Sequence, residues 1–144
     1  MAAALAVYFS LFEKHDLARG EVGHVIALAT SISQAGVVFG YVLGFLQGSP
    51  VLAREIEQVT NTEIRLRNGV VIGVHAASFR NVRGRTLLAV IADEISFWRS
   101  EESAVPDVEV VRAVMPALAA SGGMLVAIST PWRRTGLLLS LIHI

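Results

Sequence analysis

The sequence predicts an α/β protein, a mainly parallel β-sheet with helices on both faces. Three short apolar runs, His24 to Thr30, Leu87 to Ala92 and Met124 to Ser129, are bounded by turn residues, as in strands buried on both sides. Helical stretches separate these runs, and alternating strands and helices imply right-handed crossovers between parallel neighbours. The chain is 53% hydrophobic and only 17% charged, which excludes intrinsic disorder as a global description.

In chain order, Met1 to Phe12 is alanine-rich and free of glycine and proline, so it reads as a helix. Glu13 to Gly23 is a polar loop, and His24 to Thr30 the first buried strand. Ser31 or Ser33 then caps a helix that runs to about Gln47 and is stopped by Gly48, Ser49 and Pro50. Gly36, Gly40, Gly44 and Gly48 form a small-residue stripe expected to let this helix sit close against the sheet. Val51 to Gln58 reads as a further short helix. From Glu63 to His75, apolar residues alternate around Asn68-Gly69, the strongest local hairpin signal, with positive φ expected at both turn positions. An arginine-rich loop, Ala76 to Arg85, leads to the second buried strand. After a polar stretch, Ser100 to Ala104, Pro106 suits the first turn of a helix reaching about Ala120, with Asp107 and Glu109 at its positive end. Pro116 inside it is expected to kink or divide it. Ser121-Gly122-Gly123 ends that helix before the third strand, Met124 to Ser129.

A length of 144 residues suits one domain or a large piece of one. The absence of cysteine excludes a disulfide scaffold and a thiolate metal site. A net charge of zero argues against nucleic-acid binding through overall charge and leaves room for a local basic patch. Eleven of the twelve basic residues are arginines, and Lys14 is the one lysine. Ala2 to Phe12 and Ala35 to Leu46 are apolar but too short for a membrane span, which needs roughly twenty residues. Both read as buried elements.

In sheets of this kind ligands bind at the carboxyl ends of the strands. The second apolar run ends in Asp93-Glu94, a Walker B pattern. Asp93 at such an edge can hold Mg²⁺ through water, and Glu94 can polarise an attacking water as general base. Taken alone, the motif is equally met by Asp93 capping a turn and Glu94 facing solvent. The third run ends in Ser129-Thr130-Pro131, hydroxyls that can touch a γ-phosphate or simply form a turn. Arg80, Arg83 and Arg85 around Gly84 suit phosphate contact, as a finger or a DNA backbone contact, or a solvated basic loop. His15, His24 and His75 lack metal-ligand spacing, and Trp98 and Trp132 read as packing anchors.

In combination these residues resemble the large terminase subunit of tailed bacteriophages, the motor that packages DNA into the prohead. The likeness is carried by Gly20-Glu21 with the following strand and Ser33-Gln34-Ala35, by Ala77 to Thr86, by Asp93 to Ser100, and by Ala127 to Pro131. It runs from about residue 1 to 138 and implies a P-loop NTPase fold of the additional-strand type. It also implies ATP and Mg²⁺ as cofactors, Asp93 as metal ligand, Glu94 as catalytic base and Ser129-Thr130 as nucleotide-sensing coupling element. Arg83 becomes the candidate phosphate-sensing or subunit-bridging arginine, with Arg80 and Arg85 behind it. The implied partners are double-stranded DNA, the portal protein of the prohead, the small terminase subunit and further copies of the chain. The implied location is the host cell cytoplasm, with no membrane.

The departures are as specific as the likeness. A Walker A loop needs Gly-x-x-x-x-Gly-Lys-Ser/Thr, and Lys14 has no glycine nearby, so these 144 residues contain no P-loop. Met1 to Phe12 resembles the helix that follows that loop, which makes Met1 an internal methionine of a partial ATPase domain, residues 1–138, expected to be inactive alone. The family's nuclease domain is absent from these residues. Leu139 to Ile144 matches what a common transposase sequencing adapter encodes and is set aside from fold reasoning. In the additional-strand fold the coupling strand lies between the Walker A and Walker B strands, so Met124 to Ser129 should have one unpaired edge. Two other readings are a helicase-type ATPase fragment and a non-catalytic DNA-binding or interaction domain using Arg80 to Arg85.

Overall fold

The computed structural model describes residues 1–78, 80, 82–98, 106–130 and 137–142. Its strands, in chain order, are β1 (Gly23–Ala29), β2 (Ile56–Val59), β3 (Glu63–Leu66), β4 (Val70–Ala76), β5 (Thr86–Asp93) and β6 (Met124–Ile128). They form one sheet in the spatial order β2-β3-β4-β1-β5-β6. β4, β1, β5 and β6 run parallel, while β3 is antiparallel to both β2 and β4. The three apolar runs are thus three adjacent parallel strands. β6 pairs only with β5, so its other edge is unpaired among the described residues.

The helices are α1 (Ala2–Val7), α2 (Ile32–Gln47), α3 (Pro50–Ala53), α4 (Pro106–Ser121) and α5 (Leu137–Ile142). They cover both faces, because alternate residues of each central strand point to opposite sides. Val25 and Ala27 of β1, Ile72 of β4 and Ile91 of β5 join α1 and α2 in one core. Ile26 and Leu28 of β1 and Val90 and Ala92 of β5 join Val110, Val114 and Leu118 of α4 in the other. α5 runs into the stretch attributed to the adapter. Among the described residues no helix is long and apolar enough to cross a membrane.

Several local expectations are corrected. α1 ends at Val7 and continues as a π-helical turn, Tyr8–Phe12, closed by the Glu13 N–H donating to the Tyr8 carbonyl at 3.1 Å. The glycine stripe of α2 does not face the sheet. A Cβ added at Gly36, Gly40 or Gly44 would meet nothing within 4 Å, and the buried face is Ala35, Val38, Val42 and Leu46. The small residues buried in this core are instead the alanines of α1, Ala2, Ala3 and Ala6. Ile32, Val37, Tyr41 and Phe45 of α2 are exposed beside the glycines. Pro116 does not divide α4, which is continuous from Pro106 to Ser121.

The expected helix over Val51 to Gln58 is only the four-residue α3, and its second half is β2. β2, Ile-Glu-Gln-Val, is mostly exposed and too short to carry an alternation that reading the sequence could detect. The β3–β4 hairpin turns through Arg67, Asn68 and Gly69, with positive φ at Gly69 alone. This is a three-residue loop, where one left-handed glycine suffices. Asn68 spends its side chain twice: Oδ1 accepts the Val70 N–H at 3.1 Å, and Nδ2 donates to the Ser10 carbonyl at 2.8 Å. The hairpin is thereby tied to the π turn. Phe79, Asn81, Arg99, Ser100 to Ala104, Pro131 and Trp132 lie outside the described residues.

Glycine positions give a direct test of this packing. A Cβ on Gly123 would lie 2.7 Å from the carbonyl oxygens of Leu87 and Leu88, which are backbone and cannot step aside. Gly123→Ala should lower the unfolding free energy by about 1–3 kcal/mol. Gly40→Ala should raise it by about 0.5–1 kcal/mol through helix propensity. Urea denaturation of the two variants checks both signs, and a loss for Gly40→Ala would mean the stripe is packed after all.

Candidate active site

Two parallel strands finish side by side at the carboxyl edge, and their last residues are the candidate site. β5 is buried along its length because helices cover both its faces and strands flank both its edges. Between His24 and Val25 its register with β1 slips by one: His24 pairs with Leu87 and Val25 with Ala89, leaving Leu88 as a bulge. Beyond the bulge, Ala89 and Ile91 face α1 and α2. Asp93 follows in the same alternation and lines a cavity of about 350 Å³ with Ala2, Ala3, Gln34, Val38 and Tyr41. No hydrogen-bond or ion-pair partner is present for the Asp93 carboxylate among the described residues.

Glu94 stands in the left-handed region, with φ 55° and ψ 40°, the one non-glycine positive φ among the described residues. Such a backbone costs a side-chain-bearing residue about 1–2 kcal/mol and persists only where its neighbours hold it. Here its N–H donates to the Ile128 carbonyl of β6 at 2.7 Å, and its carbonyl accepts the Phe97 N–H at 2.9 Å. A 3₁₀ turn, Ile95–Phe97, follows, with Ile95 and Trp98 buried on the α4 side. The Trp98 indole N–H donates to the Asp93 carbonyl at 2.9 Å. Trp98 is therefore the packing anchor expected for it, and it also fixes the end of β5.

β6 reaches the same edge. Asp93 is in register with Ile128, so Ser129 and Thr130 emerge beside Glu94. The Ser129 hydroxyl accepts the Ser96 N–H at 3.2 Å and donates to the Thr130 carbonyl at 3.2 Å. Thr130 is exposed. The acidic pair and the hydroxyl pair thus leave neighbouring strands on one rim, cross-linked by main-chain and side-chain hydrogen bonds. Among the described residues no cluster of three or more histidine and carboxylate side chains is arranged to hold a metal by itself. One hard carboxylate oxygen donor beside open space fits Mg²⁺ that keeps most of its water.

No protein-family profile and no curated protein matches the chain. Solved structures do match. The Thermus phage P74-26 large terminase ATPase domain superposes with a TM-score of 0.64 over 93% of this chain, at 23% identity. The HK97 bacteriophage large terminase superposes with a TM-score of 0.68 over 98% of it, at 20% identity. The chain has the fold of a phage large-terminase ATPase domain. An arginine-to-alanine variant of the Thermus phage domain gives a TM-score of 0.63 at 22% identity. The chain spans 56% of the Thermus phage chain and 28% of the HK97 chain.

Within this terminase fold not every candidate residue reaches the rim. Arg83 is exposed in the segment that leads into the start of β5, and Asp93 closes the other end of that strand. A strand of eight residues spans about 23 Å at roughly 3.3 Å per residue, beyond the reach of an arginine side chain from the far end. Arg85 is not free for phosphate, since its guanidinium donates to Glu63 at 2.7 Å. Ser31, Ser33 and Gln34 at the start of α2 suit anion binding or simple capping in the sequence; Ser31 is the cap, accepting the Gln34 N–H at 3.2 Å, and Gln34 lines the cavity of Asp93. Sequence reasoning missed a polar cluster of His24, Glu63, His75 and Arg85, because its members come from four separate segments.

The strain at Glu94 can be measured apart from any activity. Glu94→Gly should raise the unfolding free energy by about 0.5–1 kcal/mol in urea, because glycine adopts positive φ without steric cost. A destabilised variant would mean that the Glu94 side chain contributes more than its backbone costs.

Proposed function

We propose that this chain is the Walker B and coupling part of a phage large-terminase ATPase, and that the longer protein hydrolyses ATP to move double-stranded DNA into the prohead. The observation that carries this reading is the rim shared by Asp93-Glu94 and Ser129-Thr130, on adjacent parallel strands of a terminase-type fold. In this reading residues 1–138 form the partial ATPase domain, and the glycine-rich loop that grips the triphosphate lies outside the 144 residues. The portal protein, the small terminase subunit and further copies of the chain are the partners proposed for the longer protein in the host cytoplasm.

Asp93, on the α1–α2 side of the rim, is the residue that would hold Mg²⁺, which when bound would supply neutralisation of phosphate charge. Glu94 would orient a water molecule for in-line attack and accept its proton. Its left-handed backbone turns the glutamate away from the strand direction and fixes it to β6 through Ile128. Ser129 would carry changes at the nucleotide into β6, since its hydroxyl already bridges the two strand exits. Arg83, remote from the rim within one chain, suits a role toward a neighbouring subunit.

The isolated chain should show no ATP turnover, because its sequence contains no Walker A loop to grip the phosphates. Turnover that Glu94→Gln abolishes would overturn the view that the site is divided. In the longer protein Glu94→Gln should lower kcat by roughly 10²–10⁴-fold with little change in KM for ATP. Unchanged kcat there would remove Glu94 as the base. Salt-sensitive DNA binding that survives loss of Asp93 and Glu94 in a chain without turnover would favour a DNA-binding module instead.

A further inference from the structure

A second polar constellation lies away from the candidate active site. Glu63 opens β3 opposite Gly73 of β4. Its Oε1 accepts from Arg85 Nη1 at 2.7 Å, and His75 Nε2 stands 3.7 Å from the same oxygen. Gly73 leaves the room: a Cβ there would lie 2.9 Å from His75 Nε2. His75 Nε2 is buried without a hydrogen-bond partner. On β1, His24 Nδ1 lies 3.5 Å from Arg85 Nη1. Arginine only donates, so this contact needs His24 unprotonated at Nδ1. Arg65 of β3 adds a further positive charge near His24. One carboxylate on β3 therefore serves basic groups from β1, β4 and the segment leading into β5.

We propose that this cluster is a proton-operated latch: while His24 and His75 are neutral, Arg85 is locked onto Glu63 and anchors the segment entering β5, and protonation of both histidines releases it. A protonated His75 competes with Arg85 for the same carboxylate oxygen. A protonated His24 loses its acceptor and repels the guanidinium. Burial, and then the charge of Arg85, push both histidines below their ordinary value, against the pull of Glu63. Burial alone would raise the Glu63 carboxyl, but the Arg85 hydrogen bond and charge, with the two histidines, hold it below the usual carboxylate range. Glu63 therefore stays ionised while the histidines titrate, and the latch is closed at neutral pH.

The sign for stability follows. The unfolded chain takes up histidine protons near pH 6.5, before the folded chain does. The contribution of the cluster is present above about pH 6.5 and is lost as pH falls through the lower folded values.

The test is an NMR titration of the intact chain from pH 8 to 5, following the ring protons of His24 and His75 and the guanidinium protons of Arg85. Corrected for the intrinsic slowing of base-catalysed exchange in acid, the protection of those guanidinium protons should fall as pH drops toward the histidine midpoints, by up to about a hundredfold per pH unit because two protons are taken up, and level off below them. The Ile91 amide should stay protected, which separates local release from unfolding. His24→Gln combined with His75→Gln should keep Arg85 locked at pH 5, and Glu63→Gln should leave it open at pH 8. Undiminished Arg85 protection throughout, or release at the parent pH in the double variant, would overturn the latch. If the double variant does not fold, the parent decides: Arg85 release that fails to track the histidine midpoints rejects the proposal.

Discussion

The candidate site depends on β5 being enclosed. With β1 and β6 on its edges and helices on both faces, its backbone polar groups are satisfied within the sheet and its side chains need no water. Ionisable side chains have no place along such a strand, so the first position that tolerates a carboxylate is its end. The Asp93 carbonyl receives the Trp98 indole, and the Glu94 N–H reaches across to β6. These contacts make the end of β5 a fixed point rather than a frayed one. A rigid strand end is the kind of support that a reacting group needs, because small misplacements cost large factors in rate.

The parts of this arrangement that were legible in the sequence are those governed by burial and chain direction. Three apolar runs separated by helical stretches gave adjacent parallel strands, and the residues after two of them gave the rim. Turn chemistry was legible as to place but not as to type, since Asn68-Gly69 marks the hairpin while Gly69 alone carries the positive φ. β2 was hidden because so short and exposed an edge strand carries no readable alternation. The glycine stripe misled because spacing reports which residues share a helix face, not which face meets the sheet. In α2 the volume that fills the core comes from Val38, Val42 and Leu46, and the glycines are left outside. The His24–Glu63–His75–Arg85 cluster could not be seen at all, because only the sheet order brings its members together.

The two ends of β5 divide the chemistry. The carboxyl rim holds acids and hydroxyls that contact one another through main-chain groups. The segment at its start is held by an ion pair between charged side chains, Arg85 and Glu63, flanked by histidines. Main-chain hydrogen bonds are indifferent to pH near neutrality, whereas the ion pair sits among groups that are not. One strand thus joins a constitutively fixed end to a titratable one, with a core of Val90, Ile91 and Ala92 between them.

The bulge at Leu88 sets which side of the sheet receives the acid. Leu87 faces α4, and an unbroken alternation from Leu87 would carry Asp93 to that same side. The one extra residue turns it toward α1, α2 and the cavity. The orientation of the carboxylate is therefore written in a residue count rather than in the identity of any side chain. A strand shortened by one position, ending in the same Asp-Glu, would present its acid to the opposite helix layer and make a different surface from identical chemistry.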